Sequence, residues 1–298
     1  MTINTSHIYK FLDYLHTHKH YSANTIQNYE YDLLALALFM KEFQVQIQSF
    51  SKENGRTYLA KRMDADINPK SISRAISVYR SFWDFLIVQK TVKTNTWKYI
   101  RAPKIRQSIP HIISTEDMLS FLDNIKMDTP IGLRDRAICE ALYGLGLRVS
   151  ELCSLTMDQL NLKECECRVI GKRNKERIAL FGEITRDVLI KYINQSRPVW
   201  LKSHSKTLII NKKGGPITPR SIQRIVKKRC MQQGLRQCLT PHSLRHCFAS
   251  DLYKGGADLT VIKQLLGHDH LSTTEIYTHV ANEELHQTIQ TAHPHGKG

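Results

Sequence analysis

One stretch decides how this chain can fold. Residues 101–110, Arg-Ala-Pro-Lys-Ile-Arg-Gln-Ser-Ile-Pro, hold two prolines, no acid and no clear hydrophobic period. Proline lacks a backbone donor and drives the residue before it out of the helical region, so no regular element runs through such a segment. The hydrophobic patterns on its two sides must close into separate cores. The expected division is a helical domain over 1–102, an extended basic linker over 103–112 and a second domain over 113–298; the 298-residue length accommodates both.

The first domain reads as all helix. Ser22 or Asn24 caps a helix whose apolar side carries Tyr29, Leu33, Leu36 and Met40, and a second begins near Ser71 and carries Ile72, Ile76, Tyr79, Phe82, Trp83 and Leu86. Arg74 and Arg80 fall on its other faces. Beyond the linker, Ser114 with Glu116 and Asp117 marks a helix start, and Arg134 to Tyr143 keeps helical spacing until Gly144 and Gly146 interrupt it. The period then changes. Residues 167–170 and 177–181 flank Gly171-Lys-Arg-Asn-Lys-Glu176, a β-hairpin with a basic tip, and 207–210 reads as a further short strand. Thr218-Pro219, Thr240-Pro241 and Asp258 each open a later helix. The fold class is mainly α, an N-terminal helical domain followed by an α+β domain with a small antiparallel sheet.

Charge narrows the partner. Lys and Arg number 43 against 27 Asp and Glu, a net charge of +16. Through Lys104 there are 15 basic and 8 acidic residues, and beyond it 28 and 19, so both halves are positive. That distribution suits a clamp around a polyanion better than an enzyme with one basic tail. No helix pairs a basic face with a broad aromatic one, which sets membrane surfaces aside in favour of nucleic acid. Residues 33–40 form the longest near-apolar run, too short to span a bilayer, and residues 1–10 lack the marks of a secretory signal; a cytoplasmic location is expected. Seven cysteines without a CxxC pair read as reduced, buried thiols, with Cys165 and Cys167 on one face of a strand. His242 and His246 are four apart, but no HExxH glutamate or third ligand accompanies them, so no metal is expected.

Polar residues gather around the predicted helix ends. His242 and Arg245 lie three apart and should converge; Gly267 suits the left-handed position after a helix, with His268 next; Ser272-Thr-Thr-Glu275 is a capping box that carries Tyr277. Singly, Arg148 reads as a surface residue, Lys172 as a solvated turn residue and Tyr277 as packing. Together, Arg148, Lys172, His242, Arg245, His268 and Tyr277 supply what phosphodiester exchange without metal requires. Two guanidiniums can brace the nonbridging oxygens, lysine can protonate the departing 5′ oxygen, histidines can move protons, and a phenol can attack. Covalent capture conserves the bond energy, so no cofactor is needed.

These residues stand in strings that resemble the tyrosine site-specific recombinases, most closely the bacterial Xer type that resolves chromosome dimers: Gly144-Leu-Gly-Leu-Arg-Val-Ser-Glu-Leu152, Gly171-Lys-Arg-Asn-Lys-Glu-Arg177, His242-Ser-Leu-Arg-His246, Leu265-Leu-Gly-His268 and Ile276-Tyr-Thr-His279. The likeness reaches the first domain through Ser22-Ala-Asn-Thr-Ile26, Tyr29 and Asp32-Leu33. It implies cleavage and rejoining of DNA through a 3′-phosphotyrosyl intermediate and a Holliday junction. Arg148 and Arg245 would clamp phosphate, Lys172 act as general acid, His242 and His268 serve proton transfer and phosphate contact, and Tyr277 be the nucleophile. Glu151 would support the site, and the residues alone read it as an anchor for Arg or His, since a free carboxylate would repel phosphate. Arg74, Arg80, Arg173, Lys175, Arg220, Arg224, Lys227 and Lys228 are candidate DNA contacts. The implied partners are a double-stranded recombination site, a homo- or hetero-tetramer with a related recombinase assembled through a C-terminal docking helix, and a septal DNA translocase. Arg173 replaces a common hairpin glycine, and Asn95-Thr-Trp97 the usual Asn-Pro. Integration of a small mobile element, DNA binding without strand transfer and type IB topoisomerase activity are the alternatives.

Overall fold

The computed structural model describes residues 5–103, 113–171, 176–202, 205–235, 238–267 and 279–296, without the side chains of 279–284. The chain divides into two compact units, Met1–Ile109 and Pro110–Gly298.

The first unit is helical: α1 (Thr5–Thr17), α2 (Ala23–Glu42), α3 (Lys52–Asp64) and α4 (Pro69–Val88). Ser22 caps α2 through the Thr25 amide, as its spacing predicts. α4 begins two residues ahead of Ser71, because Asn68 accepts from the Lys70 amide and Pro69 fits the first turn. Its apolar stripe packs Tyr79, Phe82 and Trp83 on Phe11, Phe50 and Trp97. The Asn95-Thr-Trp97 departure completes this core. Trp97 is fully buried, Asn95 donates to Asp84 and to the Arg80 carbonyl, and Thr96 donates to the Phe50 carbonyl. Arg80 locks the same segment from the other side, with Nε on the Trp97 carbonyl at 3.1 Å and Nη2 on that of Ile100 at 2.8 Å. Those two donors of the candidate DNA contact Arg80 hold backbone. Arg74 is half-exposed and pairs with the buried Asp32 at 3.0 Å. Burial raises the Asp32 carboxyl above its ordinary value, and Arg74 and Arg62 oppose that rise.

The second unit opens with α5 (Thr115–Asp123), the buried α6 (Pro130–Gly144) and the short α7 (Val149–Ser154). Strands β1 (Leu160–Asn161), β2 (Glu166–Ile170) and β3 (Glu176–Leu180) form an antiparallel sheet in that order. β1 was not predicted; two residues are too few for an alternating pattern to show. The β2–β3 register sets Cys167 opposite Ala179 and Val169 opposite Arg177. Cys165 precedes β2 with φ +53° and stays half-exposed, so it does not share a strand face with the buried Cys167. All seven thiols are free.

α8 (Glu183–Lys191) continues through a wide π-turn at Tyr192–Ser196 into α9 (Arg197–Trp200). The expected strand at 207–210 is instead irregular, bridged singly at Thr156–Thr207 and Ile210–Pro216. Side chains take up its backbone groups. Tyr192 Oη donates to the Leu208 carbonyl and accepts from the Ile210 amide, and Arg197 Nε donates to the same carbonyl. There follow α10 (Pro219–Gln232), α11 (Pro241–Lys254), α12 (Leu259–Leu266) and α13 (His279–Ala292). Thr218, Thr240 and Asp258 cap the first three as predicted, and Gly267 ends α12 with φ +64°.

The C-terminal helix packs on its own chain. Leu285 and Ile289 are buried in a cluster with Leu180, Phe248, Leu252, Ile262 and Leu265. Beyond α13 the chain turns back through His293 and His295, both buried; His295 Nδ1 lies 3.0 Å from Glu140 of α6.

Candidate functional site

Glu151 organises the site. Its carboxylate is almost inaccessible, on the first turn of α7, and Oε1 accepts from Arg148 Nη1 at 2.7 Å while Oε2 accepts the Arg148 backbone N–H at 2.8 Å. Arg148 sits at the N-cap of that helix, so the three-residue spacing of Arg148 and Glu151 folds the acid back onto its own helix start. Oε2 also accepts from Arg177 Nη2 at 2.9 Å and lies 3.8 Å from Arg245 Nη1. Three guanidiniums thus surround one carboxylate.

Carbonyls aim two of them. Arg148 Nη2 donates to the Gly267 carbonyl at 3.2 Å, and Arg245 Nη2 donates to that of Leu266 at 2.5 Å. These are end carbonyls of α12, where the helix dipole is negative and favours cations. Arg245 Nη1 donates to the Gly146 carbonyl, in the glycine-interrupted turn after α6. Gly146 has φ +59° and lies against Phe248, so a side chain there meets both backbone strain and the ring. Burial pulls the Arg245 pKa down to about 10, Arg148 and Arg177 add to the fall, and Glu151 opposes it. Arg245 therefore stays charged at neutral pH.

Among the described residues the charges do not cancel. Arg177 and Arg245 are buried, Arg148 is 29% exposed at the side chain, and Glu151 is the one described carboxylate against these three guanidiniums. Uncompensated charge out of water is costly, and an anion placed against it recovers the interaction. A cleft of about 400 Å³ opens there, lined by Arg148, Val149, Pro241, His242, Arg245, His246 and Ala249 with Leu266. His242 is exposed at its rim, whereas Arg245 turns inward. The expected convergence of the two head groups is thus limited to a shared cleft. His246 bonds Ser250 at 3.1 Å, and the described residues contain no metal-binding group of three or more His, Cys, Asp or Glu.

Other site residues fall differently. Lys172, Arg173, Lys175, His268 and Tyr277 lie outside the described residues. Arg220, Arg224, Lys227 and Lys228 are exposed on α10, a helix without a single acid. Arg177 was missed by sequence reasoning. A signal existed: on β3 it alternates with Ile178 and pairs with Val169, so the strand period puts a cation on the core-facing side. No helix among the described residues is long and apolar enough to cross a membrane.

A helical domain joined to a mixed domain that gathers arginines around a carboxylate beside a cleft is the architecture of a DNA strand-exchange enzyme. The sequence matches the phage integrase family over residues 112–284 and the phage integrase N-terminal SAM-like domain over residues 8–90, and the chain belongs to that family. It is similar to tyrosine recombinase XerC of Halalkalibacterium halodurans, 37% identical with 98% of each chain covered. Tyrosine recombinase XerD of Staphylococcus haemolyticus is 34% identical, with 96% of this chain and 98% of that one covered. The crystal structure of the XerH site-specific recombinase bound to a palindromic difH substrate, a post-cleavage complex, shares the fold with a TM-score of 0.68 at 20% identity, covering 96% of this chain and 88% of that one. These relations make the chain a tyrosine recombinase of Xer type.

Proposed function

We propose that this chain cleaves and rejoins duplex DNA at a specific site through a 3′-phosphotyrosyl intermediate. The observation that carries the reading is the cluster around Glu151: Arg148 and Arg245 line one cleft, and the neighbouring carbonyls and carboxylate set their directions. Such preorganised donors favour a phosphorane, whose added negative charge they meet without rearrangement. Tyr277 Oη attacks phosphorus; the Oη–P bond forms, the P–O5′ bond breaks, and Lys172 supplies the proton that leaves with the 5′ hydroxyl. His242 and His268 move protons and contact phosphate. A 5′ hydroxyl from the partner strand then displaces Tyr277, so no cofactor is consumed.

Four protomers hold two duplexes, exchange one pair of strands, isomerise the junction and exchange the other pair. Arg74, Arg173, Lys175 and the exposed cations of α10 bind the phosphate backbone. The seat of Leu285 and Ile289, here filled by the chain's own helix, is the surface through which neighbouring protomers couple. The sequence resemblance supports a cytoplasmic role in resolving chromosome or plasmid dimers, and so in chromosome partition at cell division, with a related recombinase and a septal translocase as partners.

A suicide duplex nicked near the cleavage point tests the chemistry. The native chain should trap a covalent 3′ adduct, and Tyr277→Phe should bind the same duplex and trap none. Adduct formation by Tyr277→Phe would remove this nucleophile from the mechanism.

A further inference from the structure

Arg177 is a buried cation that reaches the carboxylate at the centre of the site. It faces the core side of β3, opposite the buried Val169 and two residues ahead of the buried Ala179. Its Nη2 bonds Glu151 at 2.9 Å, although Arg148 already holds that carboxylate at 2.7 Å and Arg245 stands 3.8 Å away. A further guanidinium on that acid brings its own desolvation cost and repulsion from two like charges. The arrangement makes sense as part of a site.

The geometry shows what the cation does. Glu151 Oε2 accepts from both the Arg148 backbone N–H and Arg177, so Arg177 holds that oxygen between α7 and β3. Arg245 bonds carbonyls on Gly146 and Leu266 and stays beyond hydrogen-bond distance of Glu151. Without Arg177, Oε2 keeps only the Arg148 backbone N–H among these donors and can shift toward Arg245, 3.8 Å away, and draw it from those carbonyls. Arg177 makes a second contact with the same frame. Its Cδ and Nε pack so closely on Gly267 that a Cβ there would lie 2.5 Å from each, and the Gly267 carbonyl is the one that aims Arg148.

We propose that Arg177 is a positioning residue for the phosphoryl transfer, keeping Glu151 off Arg245 and holding the Gly267 turn so that both cleft arginines point at phosphate. This inference rests on the recombinase reading above. The role assigned to Arg177 acts through Glu151 and Gly267 rather than on the reacting atoms.

The test compares Arg177→Met, Arg177→Lys, Glu151→Gln and the Arg177→Met/Glu151→Gln double variant in the full chain. Arg177→Met should bind duplex DNA within about threefold of the native chain, since it removes no backbone contact. It should slow single-turnover adduct formation by about 10²-fold, the scale of an ångström-sized misplacement. Arg177→Lys, which keeps the charge and one donor to Glu151, should recover most of that loss. The double variant should be no slower than the worse single one, because both act through one carboxylate. Native-like trapping by Arg177→Met, or multiplicative losses in the double variant, would overturn the inference while leaving the nucleophile assignment intact. Inorganic phosphate binding, followed by calorimetry without DNA, gives a readout independent of strand cleavage. It should weaken several-fold in Arg177→Met and return in Arg177→Lys; unchanged binding overturns the inference even if the native chain forms no adduct.

Discussion

Acid should loosen the C-terminal tail before it affects the rest of the second unit, and His293 is the reason. The ring is buried against Tyr143 at 4.8 Å and Phe248 at 5.2 Å, and its Nδ1 accepts the His295 backbone N–H at 3.1 Å. With Nδ1 an acceptor, the neutral ring carries its proton on Nε2, which has no partner among the described residues. Protonating Nδ1 would set two donors face to face in a dry site beside a second imidazole. Burial first, and then His295, depress its pKa from 6.5 to about 3. In the undocked tail His293 titrates at its ordinary value, so between those limits the open state binds more protons and docking weakens as pH falls. At pH 5 the difference between 6.5 and 5 amounts to about 2 kcal/mol, or about 30-fold in the opening equilibrium, and it is negligible at pH 7.5. Hydrogen exchange of residues 285–296, measured at both pH values and corrected for intrinsic rates, reads this directly. His293→Gln should abolish the extra opening, and the difference between the two proteins isolates the contribution of this ring. A pH-independent tail, or an unchanged pH response in His293→Gln, would refute the reasoning.

Two further substitutions probe the frame and the DNA surface. Gly267→Ala puts a Cβ on a left-handed residue, costing about 1–2 kcal/mol of backbone strain, and drives it into Arg177. Reduced thermal stability and slower adduct formation should appear together, and native values for both would contradict the packing. Replacing Arg224 and Lys227 with Gln should weaken binding similarly on all duplexes and flatten the salt dependence by about 0.9 per lost phosphate contact. An unchanged salt slope would place DNA elsewhere.

Local chemistry made much of the fold legible. Ser22, Ser114, Thr218, Thr240 and Asp258 each bond an amide two or three residues ahead, so their effect is written in adjacent sequence. Gly267 reads the same way, as a helix stop at left-handed φ. Features that failed to read depended on remote groups. Residues 207–210 look like a strand until Tyr192 and Arg197 take up their backbone groups, and β1 is too short for a pattern.

The site divides along the same line. Sequence alone established which residue types are available for phosphodiester chemistry, and it placed Glu151 one helical turn from Arg148, close enough to pair. Tertiary structure decided that Arg177 reaches across from β3 to that same acid, that Arg245 turns to the Gly146 and Leu266 carbonyls, and that His295 reaches Glu140 on α6. Periodicity reports which side of an element faces inward; it carries no information about what lies opposite. Long-range pairing of charges depends on how the elements pack, and only the packed chain excludes the water that would otherwise screen them.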